Sequence, residues 1–210
     1  MWFFFHHLYH SFAWTYDFVA AVVSIGRWDD WTRTITPFVQ GSKILEIGPG
    51  PGYLHRLLRD HGLSAVGLDE SMQMIRLAKS CLEKADHKTI NLARGLAQAL
   101  PFPNAKFDTV ISTFPSEYIL DPNTLSEIHR VLREDGHFIV LPAAWIVGRS
   151  ILDRAAAWLS QITGETPKKI LEIVTERFVR PLEQADFKVA QRQIEVRSSI
   201  VLILIASKSS

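Results

Sequence analysis

Ile44-Leu45-Glu46-Ile47-Gly48-Pro49-Gly50-Pro51-Gly52-Tyr53 governs the reading of this chain. The short apolar run Ile44 to Ile47 has the look of a buried central strand, and Gly48 to Gly52 reads as a tight turn opening a helix. Glycines let backbone approach a ligand closely, and the two prolines stiffen the loop between them. Glu46 stands out, because a carboxylate at the end of a buried strand is costly without a cation or donor beside it. A ligand with an ammonium group would supply that partner. The arrangement points to a small molecule carrying a positive charge and a nucleoside.

Working outward, strands alternate with helical patterns. Segments 8–25 and 28–40 read as helices before the core, the second ending near Pro37. Strands are expected at Lys43 to Ile47, Ser64 to Leu68, Thr89 to Ala93, Phe107 to Ser112 and His137 to Leu141. Helices are expected from about Tyr53 to Asp60, Ser71 to Lys84 and Asn123 to Leu132. Ser71 suits an N-cap, with Met72, Ile75, Ala78 and Leu82 as the apolar face behind it. Helical runs follow at Ser150 to Ile162 and about Pro167 to Arg177. Phe187 to Val196 and Ser199 to Ala206, joined only by Arg197-Ser198, read as an antiparallel hairpin at a sheet edge. Alternating strands and helices imply a parallel, doubly wound sheet.

The 210 residues, 47% hydrophobic, suffice for one well-buried α/β domain with an appendage. A formal net charge of +1 and no basic run longer than Lys168-Lys169 speak against a nucleic-acid partner. The single cysteine, Cys81, lies in a helical pattern with no base beside it in sequence, so packing is favoured over reactivity. It fits a reducing, cytoplasmic setting. The opening stretch Met1 to His10 is unusually aromatic but lacks the basic leader and cleavage site of a secretory signal. Asp17 would cost a spanning helix about 3 kcal/mol. Trp and Tyr favour interfaces, so the segment reads as a cap on a greasy pocket or as a peripheral membrane contact. His6, His7 and His10 lack acids or cysteines nearby, and no metal site is expected from them.

From Lys43 to Leu141 the chain resembles the class I S-adenosylmethionine-dependent methyltransferases, most closely the small-molecule branch that includes quinone-biosynthesis enzymes. The residues that carry the resemblance are Glu46, Gly48, Gly50 and Gly52, then Val66 to Met72, Ala93 to Phe102, Phe107 to Thr113 and Glu127 to Phe138. Several elements in the right order weigh more than any one. The resemblance implies a Rossmann-like, doubly wound, seven-stranded sheet, mostly parallel with an antiparallel last strand. It divides one domain into a helical lid (1–40), a cofactor-binding core (41–142), a helical cap after the fifth strand (143–183) and a C-terminal β-hairpin (184–210).

The resemblance also implies S-adenosyl-L-methionine as cofactor and S-adenosyl-L-homocysteine as product. Gly48, Gly50 and Gly52 would bracket the amino-acid part and ribose, and Glu46 would support the ammonium through water or a backbone contact. Asp69 would accept the ribose hydroxyls, Glu70 and Met72 would line adenine, and Leu96 and Ala97 would border its other edge. Thr113 would end the fourth strand facing the methyl group, and Tyr16, with Tyr9, would lid the cofactor unless both simply pack. One departure stands out: the family usually places an aspartate where Leu96 stands, so Gln98, a backbone carbonyl or packing must hold adenine. Thr113-Phe114-Pro115-Ser116-Glu117-Tyr118 is not the N/D-P-P-Y/F signature of amide or base N-methyltransferases. Glu117 and Tyr118 are candidates for acceptor contact, against solvation and packing respectively, and His129 is expected on the outer surface of its helix.

Methyl transfer to a small apolar acceptor, a quinone-like phenol or a lipid, is the reading this supports. The alternatives are a non-catalytic nucleoside-binding module of the same fold and a nicotinamide-dependent oxidoreductase. The second requires G-x-G-x-x-G, and here Tyr53 follows Gly52 so that the last glycine falls one place early.

Overall fold

The computed structural model describes residues 27–85, 89–147, 172 and 174–208. Tyr9, Tyr16, the three leading histidines and the expected helix from Ser150 to Ile162 lie outside the described residues. The elements, in order, are α1 (Trp28–Arg33), β1 (Lys43–Ile47), α2 (Tyr53–Asp60), β2 (Ser64–Asp69), α3 (Met72–Lys84), β3 (Leu92–Arg94), β4 (Phe107–Thr113), α4 (Pro122–Val131), β5 (Leu132–Ile146), α5 (Arg180–Gln184), β6 (Phe187–Val196) and β7 (Ser199–Lys208).

The strands form one sheet in the order β3-β2-β1-β4-β5-β7-β6. Strands β1 to β5 pair in parallel, and β7 runs antiparallel to both β5 and β6. Chain order reverses between β1 and β4, and that switch point is where open α/β sheets hold ligands. Alternation along β1 assigns the two cores. Ile44 faces Trp31, Leu54 and Leu58 on one side, while Leu45 and Ile47 face the cluster of Leu125, Ile128 and Phe138 on the other.

Several element boundaries depart from the sequence reading. The expected helix over 28–40 breaks after Arg33 and resumes as a 3₁₀ turn at Thr36–Phe38, because Pro37 cannot continue an α-helical ladder. Strand β3 is three residues long and begins at Leu92 rather than Thr89. Strand β5 extends from Leu132 to Ile146, well beyond the expected His137 to Leu141. Its register with β7 slips between Val140 and Ala143, at Pro142, which has no amide to donate. Near the expected end of the helix at Arg177 the chain instead makes a π-turn, Thr175–Val179, and passes straight into α5.

Helix α3 is capped as expected, with Ser71 Oγ accepting from the Met74 amide at 3.3 Å. Its buried face is Met74, Ala78 and Leu82, whereas Met72 is 41% exposed. Gly52 accounts for that choice of face: a Cβ there would stand 2.8 Å from Ala78 Cα, so the glycine loop and α3 touch backbone to backbone.

Candidate functional site

The glycine loop leaves β1 through three residues with positive φ: Gly48 (+71°), Gly50 (+52°) and Gly52 (+88°). This is the left-handed region that glycine enters without steric cost. The Gly48 amide donates to Leu68 O at 2.9 Å and the Gly52 amide to Pro49 O at 2.9 Å, which ties the loop to the end of β2 and closes its turn. Gly48 lies beneath Tyr118, whose Oη is 2.5 Å from where a Cβ would stand, whereas nothing among the described residues lies within 4 Å of the equivalent point at Gly50.

Over this loop opens a cavity of about 500 Å³, at the C-terminal ends of β1, β2 and β4. Gly48, Gly50, Asp69, Glu70, Met72, Ala97, Thr113 and Tyr118, all singled out from sequence, line it. Four do not. Glu46 is buried below the loop, Gly52 backs onto α3, Leu96 turns outward at 48% exposed, and Glu117 points to solvent within 3.9 Å of Arg177. Gln98 is in the wall, so of the replacements considered for the missing aspartate it is the side chain at hand. His129 is half-buried against Phe187, with ring centroids 5.3 Å apart, rather than on the outer surface. Burial, then Lys208, push its pKa below the usual histidine value.

Asp69 ends β2, and its Oδ1 accepts from the Ser71 amide at 2.9 Å. Burial pushes its pKa up, against the lowering effect of the Ser71 and Gly50 amides; Glu46 and Glu70 add to the rise. A half-buried carboxylate beside other acids is one whose ionised form further donors would favour.

Sequence reading left Glu46 without an internal partner, and the structure supplies one. Glu46 is 1% exposed, and His55 Nδ1, in the first turn of α2, lies 2.9 Å from its Oε2. A histidine nine residues after the acid was the available signal. Glu46 also borders a cavity of about 20 Å³ shared with Thr32, Gly48, Gly50 and Thr113, which is room for about one water.

Two further groups shape the site and were not singled out in sequence. Ser112 Oγ donates to Ile47 O at 2.9 Å, holding β4 to the end of β1 just before the loop. Arg130 on α4 binds Leu100 O, Phe102 O, Asn104 Oδ1 and both carboxylate oxygens of Glu127, while Glu127 also accepts the Leu100 amide. This clamp anchors the segment that brings Ala97 and Gln98 to the wall. On the opposite wall Phe114 adopts φ +46° just before Pro115, a costly backbone state. It is held by its amide bond to Leu141 O and by Trp28, 4.3 Å between ring centroids. Among the described residues no three His, Cys, Asp or Glu side chains are grouped to hold a metal.

Residues 45–140 match the family model of the methyltransferase domain. The chain is 34% identical over 146 residues to the demethylmenaquinone methyltransferase of Symbiobacterium thermophilum, covering 65% of this chain and 58% of that protein. It is 36% identical over 139 residues to the phthiotriol/phenolphthiotriol dimycocerosates methyltransferase of Mycobacterium leprae, covering 62% of this chain and 50% of that one. The chain therefore spans only part of the length of these relatives. A crystal structure from Methanococcus maripaludis, provisionally assigned as an S-adenosyl-L-methionine-dependent methyltransferase, superposes with a TM-score of 0.65 at 19% identity. That superposition covers 94% of this chain and 92% of the other, and it is a likeness of fold.

Proposed function

We propose that this protein, whose residues 45–140 match the family model of the methyltransferase domain, transfers a methyl group from S-adenosyl-L-methionine to a small, apolar acceptor, a quinone-like phenol or a lipid. The observation that carries the reading is the cavity over the glycine loop, with Asp69 at its rim and open space above Gly50. The residues present fit the cofactor. An adenosine ribose would offer hydroxyl donors to a carboxylate whose ionised form burial and neighbouring acids disfavour, and Gly50 leaves room for close backbone approach. The methyltransferase match weighs against a nicotinamide enzyme.

When bound, the cofactor supplies an activated methyl carbon, which takes an electron pair from the acceptor as the carbon–sulfur bond breaks onto sulfur. The chain's own task is to align and to exclude water, and alignment alone is worth several kcal/mol. Asp69 would hold the ribose, Met72, Ala97 and Gln98 would border adenine, and Gly48, Gly50 and Thr113 would flank the amino-acid arm. The acceptor wall is Thr113, Phe114, Pro115, Ser116 and Tyr118. Among the described residues this wall carries no carboxylate or histidine, which suits an acceptor that needs no strong base. The names of the two relatives support an apolar acceptor for this chain.

The same reading places the protein in the cytoplasm, with peripheral membrane contact through the aromatic Met1 to His10 segment. Among the described residues no helix is long and apolar enough to cross a membrane. Failure of the full chain to co-sediment with phosphatidylglycerol vesicles would remove the lipid contact from the proposal.

Calorimetric titration with S-adenosylhomocysteine tests the site. Micromolar binding, lost in Asp69→Ala and not reproduced by NADH, is expected. Equal binding by Asp69→Ala would sink the assignment, and binding without turnover on any quinone or phospholipid acceptor would favour the non-catalytic module.

A further inference from the structure

His55 is as deeply buried as any residue in the chain, at 0% exposed, yet only half of its ring is satisfied. Nδ1 lies 2.9 Å from Glu46 Oε2, and Nε2 is buried with no hydrogen-bond partner among the described residues. Orphaned N–H groups are rarer in protein interiors than bare acceptor positions. Were the proton on Nε2, an N–H would be stranded there, and a lone pair on Nδ1 would face an anionic oxygen at hydrogen-bond distance. A proton on Nδ1 removes both penalties at once.

Space for this contact is built into the sheet. Gly67 on β2 stands opposite Glu46 in the strand register. A Cβ on Gly67 would lie 3.3 Å from His55 Nδ1, 3.2 Å from Pro49 Cγ and 2.7 Å from Leu92 Cδ2. Since Gly67 has ordinary negative-φ backbone, what its lack of a side chain provides is room for the ring. The carboxylate held by the ring borders the one-water cavity beside Gly48, Gly50 and Thr113, which also line the large cavity.

We propose that His55 is a positioning residue of the cofactor site: its Nδ1–H fixes Glu46 beneath the glycine loop as an anion, facing the ammonium group of the cofactor's amino-acid arm through one water. The inference rests on the function proposed above. Glu46 then needs no ligand to be tolerated in the folded chain, and its charge is in place before the ligand arrives.

Three substitutions separate this role from mere packing. In His55→Asn the amide nitrogen falls where Nδ1 stands, in His55→Gln it reaches toward the place of Nε2, and His55→Leu offers no donor. S-adenosylhomocysteine titration should show His55→Asn within about threefold of wild type, and both His55→Gln and His55→Leu weakened by about tenfold or more, the scale of one charge-assisted hydrogen bond. Nitrogen-15 NMR of the wild-type histidine ring should find Nδ1 protonated and Nε2 bare. An Nε2–H ring would overturn the proposal, as would wild-type affinity in folded His55→Leu, or rescue by Gln and not Asn. If His55→Leu does not fold, the wild-type tautomer still decides. A wild-type protein that fails to bind would sink the functional reading, whereas a bound wild type with the wrong tautomer would sink only this one.

Discussion

Asp69 shows how a single side chain ties stability to binding. Its pKa is raised by burial first, and Glu46 and Glu70 push the same way against two backbone amides. A carboxyl raised in the folded state favours folding in its protonated form, so stability is lost as pH rises through the raised pKa. On the proposed reading, ribose hydroxyls would donate to the ionised form and reverse that preference. Cofactor affinity should therefore rise with pH through the same window and fall below it, by at most about tenfold per pH unit for one linked proton. Titrations with S-adenosylhomocysteine from pH 7 downward check this, and Asp69→Asn should flatten the profile; an unchanged slope in the variant would assign it elsewhere. The loop glycines divide in a different way. Gly52→Ala meets α3 backbone at 2.8 Å, which cannot yield, and should be the most destabilising of the three. Gly50→Ala meets nothing among the described residues and carries the left-handed penalty of about 1–2 kcal/mol, but its methyl would fill the proposed cradle and should abolish binding in a folded protein. Circular-dichroism melts beside titrations would show the two orders differ. The sequence displayed Glu46 and the glycine turn in its own pattern, and Asp69 and Glu70 through the family resemblance. It did not display the Glu46–His55 contact, which depends on where α2 lands on the sheet.

Helices and loops are held to one another by a few polar clamps, and the Glu127–Arg130 pair anchors the segment that follows Ala97 and Gln98 in the cavity wall. Arg130 first, through its hydrogen bonds, keeps the Glu127 carboxyl below the ordinary glutamate value of 4.5. Arg130→Ala would leave the Leu100 and Phe102 carbonyls unmatched and should cost about 2 kcal/mol. For a chain of this size that lowers Tm by about 4–8 °C, with weaker cofactor binding as Ala97 and Gln98 lose their anchor. A depressed carboxyl contributes stability above its unfolded pKa that is lost as pH falls toward the folded one, so the gap between variant and wild type should narrow below about pH 4.5. A gap that stayed constant into acid would show the clamp is not ionic. At this scale the sequence was legible where periodicity was strong: β6 has the expected bounds and Ser71 caps α3 as read. Legibility failed where neighbours decide, as for β3, trimmed to the three residues that pair with β2, and β5, extended by β7. Of the apolar face read for α3, Ala78 and Leu82 are buried as expected, while Met74 takes the place of Met72, since the face is set by the contact of Ala78 with Gly52.

At the scale of the whole molecule, the sheet order leaves a crevice beside β1 where the connections part, and the glycine loop, Asp69 and Thr113 converge there from three strands. A ligand seated at that point touches strands that pair with one another and with the rest of the sheet, so its binding energy should appear as stability of the whole fold. Linkage gives the size: a ligand at one hundred times its Kd stabilises the native state by about 2.7 kcal/mol. With about 2–4 °C of Tm per kcal/mol for a domain of this length, S-adenosylhomocysteine should raise the melting temperature by roughly 5–11 °C. The shift should continue to grow with the logarithm of concentration, because mass action and not saturation sets it. NADH at the same concentration should leave Tm within a degree or so of the free protein, and Asp69→Ala should lose most of the response to S-adenosylhomocysteine. A fold of this kind hosts many activities, so the thermal shift speaks to the cofactor half only. A shift confined to NADH would mean that the crevice is real and its occupant misassigned, while a shift with S-adenosylhomocysteine that survives Asp69→Ala would move the site away from the rim of β2.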